Sequence, residues 1–302
     1  MLSFESLSGV RDRCVERFPE GEMWPHYYER RLQEFANFAD QLPQKRVGKI
    51  LELGCGNGYY SAFLSQIADQ VVASDVEIPA IAIHVGGLDK TRRLMQSLEI
   101  SNVDVVPASA DKLPFEDESF DLVFSSHVMG YVSDLSGAVA EINRVLKPGG
   151  LHFCVLPTQA ATLYRLIDYQ FYLMGRVWAK CFSLRTSNTS VGTSARTSTT
   201  HAKRAGRFPF PAPQSGFSNW LEEFRSTSPN RWEKGLTADG KIPVIYRAST
   251  QVNPFLALGS LFPMKWAIKL HSKIRKIEAK LGRHRLAQNF GNNLLVITKK
   301  SL

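Results

Sequence analysis

Residues 47 to 64, VGKILELGCGNGYYSAFL, constrain the fold more than any other stretch. A short apolar run, Val47 to Leu53, leads into Gly54-Cys55-Gly56-Asn57-Gly58. Tyr60, Phe63 and Leu64 follow at helical spacing. Strand, glycine turn and helix in that order open a nucleotide-binding α/β sheet. Gly54 and Gly56 lack a Cβ, so the backbone there bends sharply and comes close to a ligand. The helix behind them directs its free N–H groups at whatever occupies the turn. A dinucleotide site wants G-x-G-x-x-G, whereas this chain has G-x-G-x-G with Glu52 two residues before the first glycine. A carboxylate at that point suits a ligand with a positive ammonium group better than a pyrophosphate. The alternative is a structural strand-to-helix turn without a ligand.

A second strand, Val71 to Ser74, ends at Asp75, 21 residues beyond Gly54. That interval brings an acidic side chain to a ribose, where a carboxylate accepts two hydrogen bonds from vicinal hydroxyls. The other role open to Asp75 is N-cap of a segment beginning near Pro79, and Glu77 is a weaker substitute for it. Residues 78 to 98 are expected to form helical segments broken at Gly86-Gly87, and Val103 to Val106 a third strand. Ser109-Ala110-Asp111, Leu113-Pro114-Phe115 and Ser119-Phe120-Asp121 follow, then a fourth strand, Leu122 to Ser125. Arg144-Val145-Leu146-Lys147-Pro148-Gly149-Gly150 precedes a fifth strand, Leu151 to Leu156. Together with the E-x-G-x-G-x-G of Glu52 to Gly58, these motifs resemble the ubiquinone/menaquinone-type subgroup of class I S-adenosylmethionine (SAM) methyltransferases. The resemblance holds in order and spacing over roughly residues 47 to 157.

The resemblance implies an α/β fold: a Rossmann-like, seven-stranded, mostly parallel sheet with helices on both faces and an antiparallel last strand. It also implies SAM as cofactor. Glu52 and the Gly54, Gly56, Gly58 turn would hold its methionine end and Asp75 its ribose. Ala110 and Asp111 would border the adenine, and Ser126 and His127 would face the methionine part or the substrate. Two departures stand out. Ser109 occupies the place of an Asp found in many relatives, so Asp111 is the remaining carboxylate for the adenine amino group. After the fourth strand, Met129-Gly130-Tyr131 replaces the end of the usual S-x-V-L-E-H. His127 is the candidate general base, its ordinary pKa lying near neutral, with a structural histidine at a strand end as the alternative.

Elsewhere the chain is read from pattern. Tyr27, Leu32, Phe35, Phe38 and Leu42 mark a helix over 24–42, which either caps the cofactor site or packs on the sheet edge. Thr162 to Phe182 is an aromatic-rich helix, a substrate lid or part of the core. Eleven of the 18 residues from Ser183 to Thr200 are Ser or Thr, which predicts a mobile loop. Trp220, Leu221, Phe224 and Trp232 suggest a helix, Val244 to Tyr246 a strand, and Asn292 to Lys299 the last strand. Net charge is −8 over residues 1–150 but +17 over 151–302, so the second half either seeks an anionic partner or is cationic for solubility alone. Within it, Ala267, Leu270, Ile274, Ile277 and Leu281 form an apolar stripe with Lys265, Lys269, Lys273 and Lys276 off it. Residues 263–285 therefore read as a basic amphipathic helix suited to an anionic membrane surface, or as an ordinary surface helix.

The expected organisation is a helical cap over 1–46, a SAM-binding core over 47–157, a basic insertion over 158–290 with a mobile loop at 183–215, and a final core strand over 291–302. Cys14, Cys55, Cys154 and Cys181 lie far apart, which fits a reducing compartment and no metal. No signal-type leader and no apolar run of about 18 residues is present, so the expected location is cytoplasmic, with peripheral contact to the membrane. The expected function is methyl transfer from SAM to a small-molecule or lipid-linked metabolite. An RNA or protein methyltransferase is the first alternative, disfavoured because no nucleic-acid-binding module and no N-P-P-Y-type tetrapeptide accompanies the charge. A SAM-binding protein without catalysis is the second.

Overall fold

The computed structural model describes residues 4–17, 25–42, 46–77, 87–183, 217–250, 277, 280–284 and 287–302. Two helices precede the sheet, α1 (Phe4–Arg17) and α2 (Pro25–Ala39). The apolar run before the glycine turn becomes β1 (Val47–Leu53), and the turn leads into α3 (Tyr59–Leu64). Then come β2 (Ala68–Asp75), α4 (Leu88–Ser97), β3 (Val103–Pro107), β4 (Phe120–Ser126), α5 (Leu135–Val145) and β5 (Leu146–Pro157). The remainder is α6 (Gln159–Ser183), α7 (Trp220–Ser226), α8 (Pro229–Leu236), β6 (Val244–Thr250) and β7 (Asn293–Lys299).

The strands form one sheet in the order β3-β2-β1-β4-β5-β7-β6. Strands β1 to β5 run parallel, and β7 is antiparallel to both β5 and β6. Parallel strands covered on both faces need apolar residues on both, and successive side chains alternate between them. Ile50 and Phe124 therefore join a core with α1 to α4, while Leu51 and Val123 join a second core with α5 and α8. On the first face Phe38 of α2 lies edge-on to Phe124 (ring centroids 5.1 Å) and Phe153 (4.6 Å). Phe38 is 1% exposed, so Phe38→Ala leaves a cavity and is expected to cost about 3–5 kcal/mol in chemical denaturation. A loss below 1 kcal/mol would mean that α2 is not docked on the sheet.

The single helix expected around Trp220 to Trp232 is two helices. Thr227 closes α7, and Ser228-Pro229 starts α8, because proline fits the first turn of a helix but breaks an interior one. Strand β6 falls inside the stretch 158–290 and supplies the edge of the sheet. Residues 78–86, the Ser/Thr-rich stretch beyond Ser183 and most of the basic helix 263–285 lie outside the described residues. Among the described residues no helix is long and apolar enough to cross a membrane.

Candidate active site

The chain runs outward from β1 to β3 and then crosses back to β4, so the sheet reverses direction between β1 and β4. In such sheets the crevice beyond the carboxyl ends of the strands at the reversal is the binding position. Glu52, the glycine turn and Asp75 lie at the ends of β1 and β2; Ser126 and His127 lie at the end of β4.

All three motif glycines have positive φ: 69° at Gly54, 54° at Gly56 and 79° at Gly58. A Cβ at Gly54 would stand 2.3 Å from Val128 Cγ2, and one at Gly58 would stand 3.1 Å from the Thr91 Cα. Both positions exclude other residues by conformation and by space. Thr91 of α4 secures the turn by donating its hydroxyl to the Gly56 carbonyl at 3.0 Å. Asp75 holds it from the other side: Oδ2 accepts the Gly56 N–H at 2.9 Å and Oδ1 the Val76 N–H at 2.8 Å. The segment from Pro79 that Asp75 was the alternative cap for lies outside the described residues.

Glu52 is 1% exposed and accepts a hydrogen bond from Ser61 Oγ. Burial pushes its carboxyl up to about 8, against the Ser61 hydrogen bond and reinforced by the negative charge of Asp75. No lysine or arginine among the described residues forms an ion pair with it. In the turn itself, Asn57 Oδ1 is buried and meets no hydrogen-bond partner among the described residues. A buried carboxyl group that meets no cation among the described residues, beside a Cβ-free turn, fits a polar ligand that brings its own ammonium group.

The loop after β3 borders the same crevice, since Ala108 N–H donates to the Asp75 carbonyl at 2.9 Å. Ala110 is buried and Asp111 is exposed, with its carboxylate accepting the Ser109 hydroxyl at 2.5 Å. The two later motifs turn out to clamp each other. Arg144 donates to the Phe115 and Leu113 carbonyls at 2.8 and 3.0 Å, and its neighbour Glu141 accepts the Leu113 N–H at 2.8 Å. The Arg144 hydrogen bonds hold the Glu141 carboxyl down at about 2, with burial opposing.

At the end of β4, His127 has φ +59°, a left-handed conformation rare outside glycine, and its N–H donates to the Val155 carbonyl at 2.8 Å. Its side chain is 28% exposed and Nε2 lies 3.8 Å from Glu34 Oε1. Glu34, on α2, is 3% exposed and is the hub of a buried polar cluster. Oε2 accepts Arg31 Nη1 at 2.7 Å and the Tyr60 hydroxyl; Oε1 accepts Asn293 Nδ2 from β7. Burial opposes ionisation of Glu34, but the charges of Arg31 and His127 and the Tyr60 hydroxyl outweigh it and hold the carboxyl well below the usual range. Burial pushes the Tyr60 phenol well up. Sequence reasoning missed Glu34, Tyr60, Asn293 and Thr91. The one available signal was Glu34 itself, a carboxylate beside Leu32 and Phe35 in a helix whose apolar face is buried.

The methyltransferase-domain family matches residues 51–154, about a third of the chain. The chain is 27% identical over 185 residues to the demethylmenaquinone methyltransferase of Staphylococcus saprophyticus, covering 59% of this chain and 72% of that protein. It is 37% identical over 138 residues to the demethylmenaquinone methyltransferase of Staphylococcus aureus strain MRSA252, covering 44% and 55%. The ubiquinone/menaquinone biosynthesis C-methyltransferase of Haemophilus ducreyi is 38% identical over 105 residues, covering 34% and 38%. The chain thus spans about half or less of the two relatives with the higher identity. Among solved structures, the Haloferax volcanii complex of the Trm112 methyltransferase activator with a methyltransferase superposes with TM-score 0.52 at 17% identity, covering 97% and 98%. A [4+2]-cyclase superposes with TM-score 0.50 at 15% identity, covering 92% and 84%. These two likenesses are of fold.

Proposed function

We propose that this chain, which carries a SAM-dependent methyltransferase domain, acts on a quinone-type small molecule presented on a lipid tail at an anionic membrane surface. The observation that carries the cofactor part is the pairing of the glycine turn with Asp75 at 2.9 Å next to a buried Glu52 that meets no cation among the described residues. In this reading Glu52, Gly54, Gly56 and Gly58 hold the methionine end, Asp75 the ribose, and Ala110 and Asp111 the adenine border. Ser126 faces the methionine part. The names of the relatives supply the acceptor class. The +17 charge of residues 151–302 and the basic pattern of 263–285 support the surface.

SAM held by Glu52, the Gly54, Gly56, Gly58 turn and Asp75 would supply an electrophilic methyl group to the acceptor's nucleophilic atom. The protein's share is alignment and exclusion of water. The glycine turn and Asp75 fix one reactant, and the end of β4 faces the other.

Fold alone does not dictate the reaction, so the acceptor needs a direct test. The full chain is incubated with methyl-labelled SAM and a demethylated naphthoquinone, reduced and carried either in anionic or in neutral phospholipid vesicles. Label is expected in the organic phase, faster from the anionic vesicles. Equal rates would remove the membrane surface from the proposal. Absence of transfer while calorimetry still shows SAM binding would remove the quinone-type acceptor.

A further inference from the structure

We propose that the cleft between α7 and α8 holds the phosphate of an anionic phospholipid, seated between Arg225 and Arg231, and so sets the acceptor crevice against the bilayer. The inference rests on the membrane-surface part of the function proposed above and gives it a defined contact. The cleft has a volume of about 370 Å³ and is lined by Asn219, Leu221, Glu222, Arg225, Ser226 and Arg231. Both arginines are exposed, and among the described residues neither enters an ion pair. The carboxylates nearby are committed elsewhere. Helices α7 and α8 carry Glu222, Glu223 and Glu233. Glu223 is buried against Arg165 of α6 at 2.7 Å, and Glu233 pairs with Arg247 of β6. Glu222 accepts the Ser218 N–H at 3.0 Å and the Ser218 hydroxyl as well. The two guanidinium groups are thus left to an anion from outside the fold. Arg231 also lies in the first turn of α8, where the helix dipole opposes a cation and no acidic residue offsets it.

The composition of the cleft selects the ligand. Two arginines against the one carboxylate of Glu222 leave a single net positive charge, the complement of a phosphodiester. The planar guanidinium fork donates two parallel hydrogen bonds to phosphate oxygens, so a pair of arginines can hold both free oxygens of the diester. Leu221, 47% exposed in the same lining, offers an apolar wall to the glycerol and the first acyl carbons. A free phosphate dianion gains nothing from that wall and meets Glu222 as a like charge. The cleft is also placed for the reaction. Trp232, the residue after Arg231, donates its indole N–H to the Pro157 carbonyl at 3.0 Å, at the carboxyl end of β5. Trp220 of α7 donates to the Thr162 carbonyl of α6 at 3.2 Å, which ties the other wall to the helix that follows β5. That edge of the sheet carries the glycine turn and Asp75, so a lipid-tailed acceptor leaving the bilayer there enters the crevice directly.

The test is co-sedimentation of the full chain with vesicles of phosphatidylglycerol and phosphatidylcholine, and with vesicles of phosphatidylcholine alone. The variant Arg225→Gln/Arg231→Gln should bind the anionic vesicles about thirtyfold more weakly, at roughly fivefold per cation. Lys241→Gln/Lys299→Gln removes the same charge at the opposite edge of the sheet, beside the start of β6 and the end of β7, and should bind like wild type. Arg225→Lys/Arg231→Lys keeps the charge without the fork and should recover only part of the loss. All four side chains are exposed, so Tm and SAM affinity should stay at their wild-type values in every variant. No loss in the arginine variant, or an equal loss in the lysine control, would overturn the site while leaving the membrane surface in place. Wild-type protein that pellets with neither vesicle would strike the membrane reading itself. Inorganic phosphate that binds such a protein in calorimetry, and fails to bind the arginine variant, would assign the cleft to a free phosphate and overturn the phospholipid.

Discussion

Asp75→Ala is expected to weaken SAM binding by about tenfold or more, read by calorimetry as a change in Kd. In the proposed role the carboxylate serves two tasks with the same two oxygens. It accepts the Gly56 and Val76 N–H groups, which sets the glycine turn, and it retains acceptor capacity for a ribose hydroxyl pair. A carboxylate hydrogen bond of this kind contributes roughly 1.5–3 kcal/mol, and every 1.4 kcal/mol is tenfold in affinity. Asp75→Asn separates the tasks. It keeps one acceptor oxygen for the turn and loses the charge and the second acceptor, so its loss in affinity should be smaller than that of Asp75→Ala. Unchanged affinity in both variants would place the ribose elsewhere. The turn has a second support in Thr91, so neither change should unfold the protein.

The glycine turn and its acidic neighbour were legible in the sequence because their determinants are local. Gly54, Gly56 and Gly58 occupy one five-residue turn, and Asp75 follows at the end of the adjacent strand. The positive φ values are the conformations that only a glycine-rich turn supplies without strain. Strands β1, β2, β4, β5 and the last strand were legible for a related reason, since runs buried on both faces stand out between glycine- and proline-rich turns. The break between α7 and α8 was missed although its signal was present, because a tryptophan pattern at helical spacing outweighed Ser228-Pro229. The Glu34 cluster was illegible for a deeper reason. Its partners Tyr60 and His127 are brought in by the sheet, and Asn293 stands 259 positions away. Only the docking of α2 on the first face of the sheet, through Phe35 and Phe38, makes these side chains neighbours. Arg144 illustrates the same limit within a recognised motif. Its run signals a helix end and a turn, whereas its side chain works on the loop around Leu113 and Phe115.

Glu52 makes the second large effect a matter of protons. In the free protein burial raises its carboxyl to about 8, so at pH 7 the neutral form predominates. An ammonium group in the site requires the carboxylate, and binding must therefore expel that proton. Calorimetry at pH 7 in buffers of different ionisation enthalpy should report net proton release on SAM binding, up to one per SAM. Glu52→Gln should abolish the release and weaken binding about tenfold or more, because the amide offers the ammonium no charge. Binding without proton release in the wild type would mean that Glu52 does not meet the ammonium. Stability supplies an independent reading with the opposite requirement. The native carboxyl sits above its unfolded value, so the folded state binds the proton more tightly than the unfolded chain does. Its contribution to stability is present in full below the usual carboxylate range of about 4.5 and is lost as pH rises towards about 8. The Tm of the ligand-free wild type should fall between those limits, and the fall should be shallower in Glu52→Gln. The residue that costs the empty fold its stability near neutral pH is thus the one that gives a cationic ligand its charge partner.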